Sequence, residues 1–238
     1  MTDEEIKAQA LDFAKHNKLR IARERTDPAI FVPSENPISV FMAVSPGAGK
    51  TEFSKDLITI FETGNKNKVI RIDADEMRTF MPGYTGSNAH LFQGAVSFVV
   101  EKMQDLALHR KQDFVLDGTF AAFEKAKSNI DRSLAKGRRI SIFYVYQKPS
   151  VAWSFTDARE KLEGRNIPRS AFIDSFLGVR ETVKRIQSDY GTKVNISVVK
   201  KNFISNKVEE ISLIKPNEGS IDHHLGDVYT REDIERIL

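Results

Sequence analysis

The chain has 238 residues, 40% hydrophobic and 29% charged, which is enough to bury a full core as one large domain. It has no cysteine, so disulfides and thiolate metal sites are excluded and a reducing, cytoplasmic setting is the expectation. Its 36 basic and 33 acidic residues leave a net charge of +3, too small and too dispersed a surplus to predict nucleic-acid binding.

Residues 3–25 place Ile6, Ala10, Phe13, Ala14 and Ile21 at helical intervals among charges, which predicts an amphipathic helix packed on something larger. This segment opens acidic and has no long apolar core, unlike a signal peptide, and no later segment is long and apolar enough to span a bilayer. Pro28, Pro33 and Pro37 then interrupt the chain. The apolar run 38–44 (ISVFMAV) has the pattern of a parallel strand covered on both faces.

A glycine-rich turn and a helix follow, and the alternation repeats: strand 68–73, helix 89–110, strand 113–118, helix 121–135, strand 139–146, and helices near 150–163 and 170–188. Strands alternating with helices imply βαβ units and a mainly parallel sheet, hence an α/β three-layer fold. The expected organisation is a single domain over 1–238, with an N-terminal helical appendage (1–30), a core (38–190) and a small β extension (192–238). Thr230 and Asp233 are placed to cap a terminal helix.

The turn reads Ser45, Pro46, Gly47, Ala48, Gly49, Lys50, Thr51. Gly47 and Gly49 have no side chain to keep backbone N–H groups from phosphate oxygens, and Lys50 adds a point charge. Thr51 begins the helix, where its hydroxyl can reach Mg²⁺ and the helix N-terminus favours an anion. Val44 stands where the usual phosphate-loop pattern has its first glycine. It ends the strand and removes none of these contacts. The protein is expected to bind ATP here, with Mg²⁺.

There is no base-reading N-K-x-D motif late in the chain, which disfavours a GTPase, and a small kinase is the remaining reading. A kinase needs a group to engage the acceptor hydroxyl and cations to cover the transferring phosphoryl. Asp73 and Asp75 lie at the end of the second strand, on the ligand-binding edge of such sheets. Asp75 is the favoured base, and Asp73 is equally readable as a helix cap. Asp117 and Thr119 repeat this placement at the third strand, where the acid could meet a metal's water shell, a substrate or only a turn.

His90, Gly94, Ser97 and Glu101 fall at i, i+4, i+7 and i+11, a stripe that could line a cleft, with Gly94 marking a close approach. In the next-to-last long helix, Val151, Phe155, Ala158 and Leu162 form the predicted packing face, and Arg159 sits at its edge. Arg159 and Arg165 then read as part of a lid over nucleotide phosphates. The five histidines show no metal spacing.

These motifs, in this order over residues 38–190 (SPGAGKT, IDADEMR, the helix with Glu101, VLDGT and AREKLEGRNIPR), resemble the zeta toxin family of P-loop kinases. The resemblance implies ATP- and Mg²⁺-dependent phosphorylation of a sugar hydroxyl of UDP-N-acetylglucosamine, and an antitoxin partner. By matching position it implies Lys50 and Thr51 for ATP and Mg²⁺, and Asp75 as base. It further implies Glu101, Asp117 and Thr119 facing the sugar nucleotide, and Arg159 and Arg165 clamping phosphates. Three positions depart from the family pattern: Val44, Asp117 where glutamate is expected, and Ala121 where an arginine can occur. The first bears on nucleotide affinity, the other two on the acceptor. A kinase acting on another small-molecule or polynucleotide hydroxyl, and a nucleotide-dependent binding module, remain open, as does an inhibitory role for the N-terminal helix.

Overall fold

The computed structural model describes residues 1–65, 67–163, 167–202, 207–215 and 218–238, with the side chains of 65 and 159–163 outside that description. Its six-stranded sheet has the order β2-β3-β1-β4-β5-β6. The strands are β1 (Ile38–Val44), β2 (Ile70–Asp73), β3 (Phe114–Asp117), β4 (Arg139–Tyr146), β5 (Asn195–Lys201) and β6 (Val208–Ile214). β1 to β5 are parallel and β6 runs antiparallel to β5. The C-terminal extension thus completes the sheet.

Strand alternation splits the core in two. On β1, Val40, Met42 and Val44 pack against Phe53 and Leu57 of α2 (Lys50–Asn65) on one face. Phe41 and Ala43 join the larger core on the other face, with residues of α4 (Gln93–His109), α5 (Phe123–Leu134) and α7 (Arg169–Tyr190). Full coverage explains why β1 reads as a continuous apolar run. A short α3 (Ala74–Arg78) follows β2, and α6 (Pro149–Glu163) lies between β4 and α7.

The N-terminal helix α1 (Asp3–Arg25) opens with a capping box in which Thr2 and Glu5 bond each other's backbone N–H. Ala10, Ala14, Ile21 and Ala22 are fully buried in the larger core. Small residues let α1 approach α4 closely: a Cβ on Gly94 would meet Leu11 at 3.4 Å. Gly94 is thus turned to α1 rather than to a cleft, at van der Waals distance from it, whereas His90, Ser97 and Glu101 of the expected stripe line open space. His90 itself is outside α4, in a 3₁₀ turn at Ala89–Phe92.

The terminal helix α8 (Arg231–Ile237) carries the Thr230–Asp233 capping box, with Ile234 buried. Before it, the 3₁₀ turn Ile221–His224 is tied to α7, where Arg180 donates to both oxygens of Asp222 at 2.7 and 2.8 Å. The Arg180 hydrogen bonds, helped by Lys184, hold the Asp222 carboxyl down to about 2. A depressed carboxyl stabilises the fold above the unfolded carboxylate range and loses that contribution as pH falls through about 2. Discounted for solvent screening of this part-exposed pair, Asp222→Asn is expected to cost about 1 kcal/mol at neutral pH. Denaturant melts of the two proteins should converge as pH falls below 4, a range set by the ordinary carboxyl near ~3.9.

Candidate functional site at the C-terminal ends of the strands

β1 delivers the chain into the loop 45–49, which turns with positive φ at Gly47 (75°) and Gly49 (74°). Gly47 has a second constraint. A Cβ there would stand 2.0 Å from the Ala152 carbonyl oxygen and 2.8 Å from Thr156 Oγ1, so α6 rests directly on the loop and only glycine fits beneath it.

This contact corrects the predicted packing face of α6. Ala152 and Thr156 are buried, with Pro149, among the described side chains of α6, while Phe155 is 38% exposed. A helix docked on a backbone turn needs small residues at the contact, and the large apolar stripe is displaced from it. Trp153 packs edge-on against Phe172, ring centroids 5.1 Å apart.

β2 and β3 end side by side with Asp73 opposite Asp117. Two carboxylates in register repel unless cations join them. Two cations do. Lys50 Nζ lies 3.1 Å from the Asp117 carbonyl oxygen, 3.3 Å from Asp117 Oδ1 and 3.5 Å from Asp73 Oδ1. Arg71, two residues before Asp73 and so on the same face of β2, donates to Asp73 Oδ2 at 2.7 Å and through Nε to Asp117 Oδ2 at 2.9 Å, and also pairs with Glu76. Ser54 Oγ completes the group at 2.8 Å from Asp117 Oδ2.

Burial opposes the charge on Arg71, but Asp117 and Asp73 outweigh it and raise its pKa. Burial raises that of the Asp73 carboxyl, and Asp117 adds to this against the pull of Lys50 and Arg71. Both shifts are upward but have opposite consequences: three carboxylates hold Arg71 charged, while burial and the neighbouring Asp117 disfavour the charge on Asp73. Arg71→Met would leave the buried carboxylates with Lys50 as their remaining cation in this group. Breaking such a pair costs on the order of 3–5 kcal/mol, and a smaller loss in thermal melts would count against this account of the network.

Asp73 also caps α3, accepting from the Asp75 N–H at 2.9 Å. The sequence offered Asp73 as acceptor-facing or a helix cap, and Asp117 as facing an acceptor, a metal's water shell or only a turn. Both carboxylates bond Lys50 and Arg71 beneath the loop and both residues line the cleft, Asp117's side chain with no exposed surface. The buried Asp117 Oδ1 accepts no hydrogen bond. Together with the Thr51 hydroxyl, these carboxylates are a hard-oxygen donor set that fits Mg²⁺, which takes one or two carboxylates plus phosphates and water.

The Asp75 carboxylate pairs with Arg78, whose Nη2 donates to Gln93 Oε1 at 3.0 Å. A cleft of about 1220 Å³ is lined by the loop (Ser45, Pro46, Gly47, Gly49, Lys50, Thr51) and by Asp73, Asp75, Arg78, Asp117 and Thr119. Ala48 lies beneath, fully buried. A smaller cavity of about 300 Å³ shares Gln93, Asp117 and Thr119 with the cleft and runs on past Ser97 and Glu101. Glu101 pairs with Lys125 at 3.4 Å. α1 lines neither space. Arg159 is placed only by its position in α6, and Arg165 lies outside the described residues.

Sequence reasoning missed Arg71 and Arg78. Arg71 had one available signal: an arginine inside the apolar strand Ile70–Asp73 must find carboxylates if the strand is covered.

A family model described as Zeta toxin matches residues 21–218. Among curated proteins no match is found. Among solved structures, a chain of the PezAT chromosomal toxin–antitoxin system of Streptococcus pneumoniae superposes with a TM-score of 0.69 at 17% identity, over 95% of this chain and 92% of that one. The AvrRxo1-ORF1:-ORF2 complex with ATP matches with a TM-score of 0.58 at 13% identity, over 93% of this chain and 70% of that one. At these identities the superpositions show a shared fold.

Proposed function

The chain belongs to the zeta toxin family and is an ATP-dependent kinase, and we propose that it transfers the γ-phosphoryl group of ATP to a sugar hydroxyl of UDP-N-acetylglucosamine. One observation carries this reading: the phosphate loop and Asp75 line the same cleft, and a second cavity opens from it where an acceptor can lie. The glycine loop and Lys50 hold the phosphates, with Lys50 exchanging its carboxylates for phosphate oxygens as ATP enters. Asp75 accepts the proton of the acceptor hydroxyl. The oxygen bonds to the γ-phosphorus, the bond to the bridging oxygen breaks, and ADP leaves with that oxygen.

Arg78 fixes the direction of the Asp75 carboxylate. Arg159 and Arg165 belong to the segment that follows the α6 contact with Gly47, which supports their assignment to the phosphates. Thr51, with Asp73 and Asp117, would hold Mg²⁺ and its water, and the ion supplies charge neutralisation at the phosphates when bound. Glu101 and Thr119 are assigned to the acceptor.

No helix among the described residues is long and apolar enough to cross a membrane, and the cytoplasm is the proposed site of action. A separate antitoxin is the proposed protein partner, as in the PezAT toxin–antitoxin system. The position of α1, lining neither cleft nor cavity, speaks against its standing in for one.

Incubation with γ-labelled ATP and a panel of acceptors (UDP-N-acetylglucosamine, nucleosides, dinucleotides, aminoglycosides and polynucleotide 5′ ends) tests the reading. Label is expected on the nucleotide sugar. Label on another acceptor alone would replace it.

A further inference from the structure

Arg71 lies inside a parallel strand with its side chain 11% exposed, and every nitrogen of its guanidinium is engaged. Nε donates to Asp117 Oδ2 at 2.9 Å and to Ser54 Oγ at 3.2 Å. Nη2 donates to Asp73 Oδ2 at 2.7 Å and also reaches Asp117 Oδ2. Nη1 pairs with Glu76, which Arg25 of α1 holds from the other side at 3.3 Å. A planar fork held at this many points has one orientation.

The two carboxylates divide their oxygens accordingly. Arg71 takes the Oδ2 atom of both Asp73 and Asp117. The Oδ1 atoms of both face Lys50, at 3.5 and 3.3 Å, and that of Asp73 also accepts from the Asp75 N–H at 2.9 Å. When Lys50 turns to the phosphates, the pair loses one of the two cations that join it at the moment a polyanion arrives. Without a second cation, the hold of the carboxylates on Lys50 and their repulsion of the triphosphate would both oppose capture. Arg71, tied to Glu76 and through it to α1, does not follow the amine.

We propose that Arg71 is a positioning residue for Lys50: it holds Asp73 and Asp117 by their Oδ2 atoms, so that the lysine can leave them for the phosphates of ATP. This rests on the phosphate role of Lys50 given above and is independent of the acceptor's identity. It has a consequence for metal dependence. Mg²⁺ entering with the nucleotide brings positive charge to the same oxygens and covers for a missing Arg71, whereas free ATP brings none.

The test is calorimetric titration of a non-hydrolysable ATP analogue into the full chain, in EDTA and again in excess Mg²⁺. Arg71→Met is expected to weaken binding at least about tenfold in EDTA and less than about threefold with Mg²⁺, the effect of one close charge in a partly screened site. Arg71→Lys keeps the charge that the fold needs, but one amine cannot span both Oδ2 atoms. It should show the same metal-dependent loss, smaller but at least about threefold, even if the methionine variant folds poorly. Removing the partner acid as well, in Arg71→Met with Asp117→Asn, should return the affinity in EDTA to within about threefold of wild type.

A loss of equal size with and without Mg²⁺ is what a purely structural role produces, and it would overturn the proposal. So would wild-type affinity in both single variants, no wild-type binding in EDTA, or a double variant as weak as Arg71→Met. The two readings fail separately. Binding that depends on Lys50 but not on Arg71 would sink the role of Arg71 alone, whereas binding unchanged by Lys50→Ala would remove the loop assignment and this proposal with it.

Discussion

Asp75→Asn is expected to lower phosphoryl transfer by about 10²- to 10⁴-fold, the usual contribution of a positioned general base, while ATP binding stays at the wild-type level. The split follows from the geometry. The Asp75 carboxylate pairs with Arg78 on α3, whereas Lys50 and Arg71 hold Asp73 and Asp117 under the loop. Asparagine keeps the shape and one acceptor oxygen for Arg78 but cannot take the hydroxyl proton. Single-turnover rates and equilibrium ATP binding on the same preparation separate the two effects. Transfer at the wild-type rate would remove Asp75 from the chemistry, and lost ATP binding would show that it supports the loop instead.

Lys50→Ala is expected to abolish measurable turnover, with at least about a 10²- to 10³-fold loss, as for other donors aimed at developing charge. Unlike the Asp75 substitution, it should also weaken ATP binding. The amine is within 3.5 Å of both Asp73 and Asp117 and remains 23% exposed, so it can exchange those carboxylates for incoming phosphates without crossing a buried barrier. Its removal also leaves Asp73 and Asp117 with Arg71 alone, and a modest drop in melting temperature should accompany the lost activity. Arg71 keeps that drop smaller than for Arg71→Met. Undiminished turnover would exclude the loop from the mechanism.

The elements whose environment is set locally were legible in the sequence. The buried strand β1, its glycine turn and the helix starting at Lys50 form one contiguous pattern, and their strand-to-helix geometry follows from residue type and order. The amphipathic α1 and the capping box at Thr230 were equally readable. What escaped depends on contacts between distant segments. The packing face of α6 was misread because helical periodicity favours large apolar residues, whereas the partner is the backbone at Gly47 and selects Ala152 and Thr156.

Gly94 was rightly taken as a close approach, but the approaching group is Leu11 of α1, some eighty residues upstream, which no local pattern announces. Asp117 was read at the ligand edge, facing a metal's water shell or an acceptor, because it ends a strand. Its pairing with Arg71 emerges only when β2 and β3 are in register.

The account turns on a single transfer across a single cleft, from ATP on the loop to a nucleotide sugar presented to Asp75. Mass spectrometry of UDP-N-acetylglucosamine after incubation with the protein, ATP and Mg²⁺ tests it most directly. The expected product is the nucleotide sugar carrying one added phosphate on its sugar, formed together with ADP and absent with Asp75→Asn. Unmodified UDP-N-acetylglucosamine, under conditions where the protein consumes ATP on another acceptor, would contradict it.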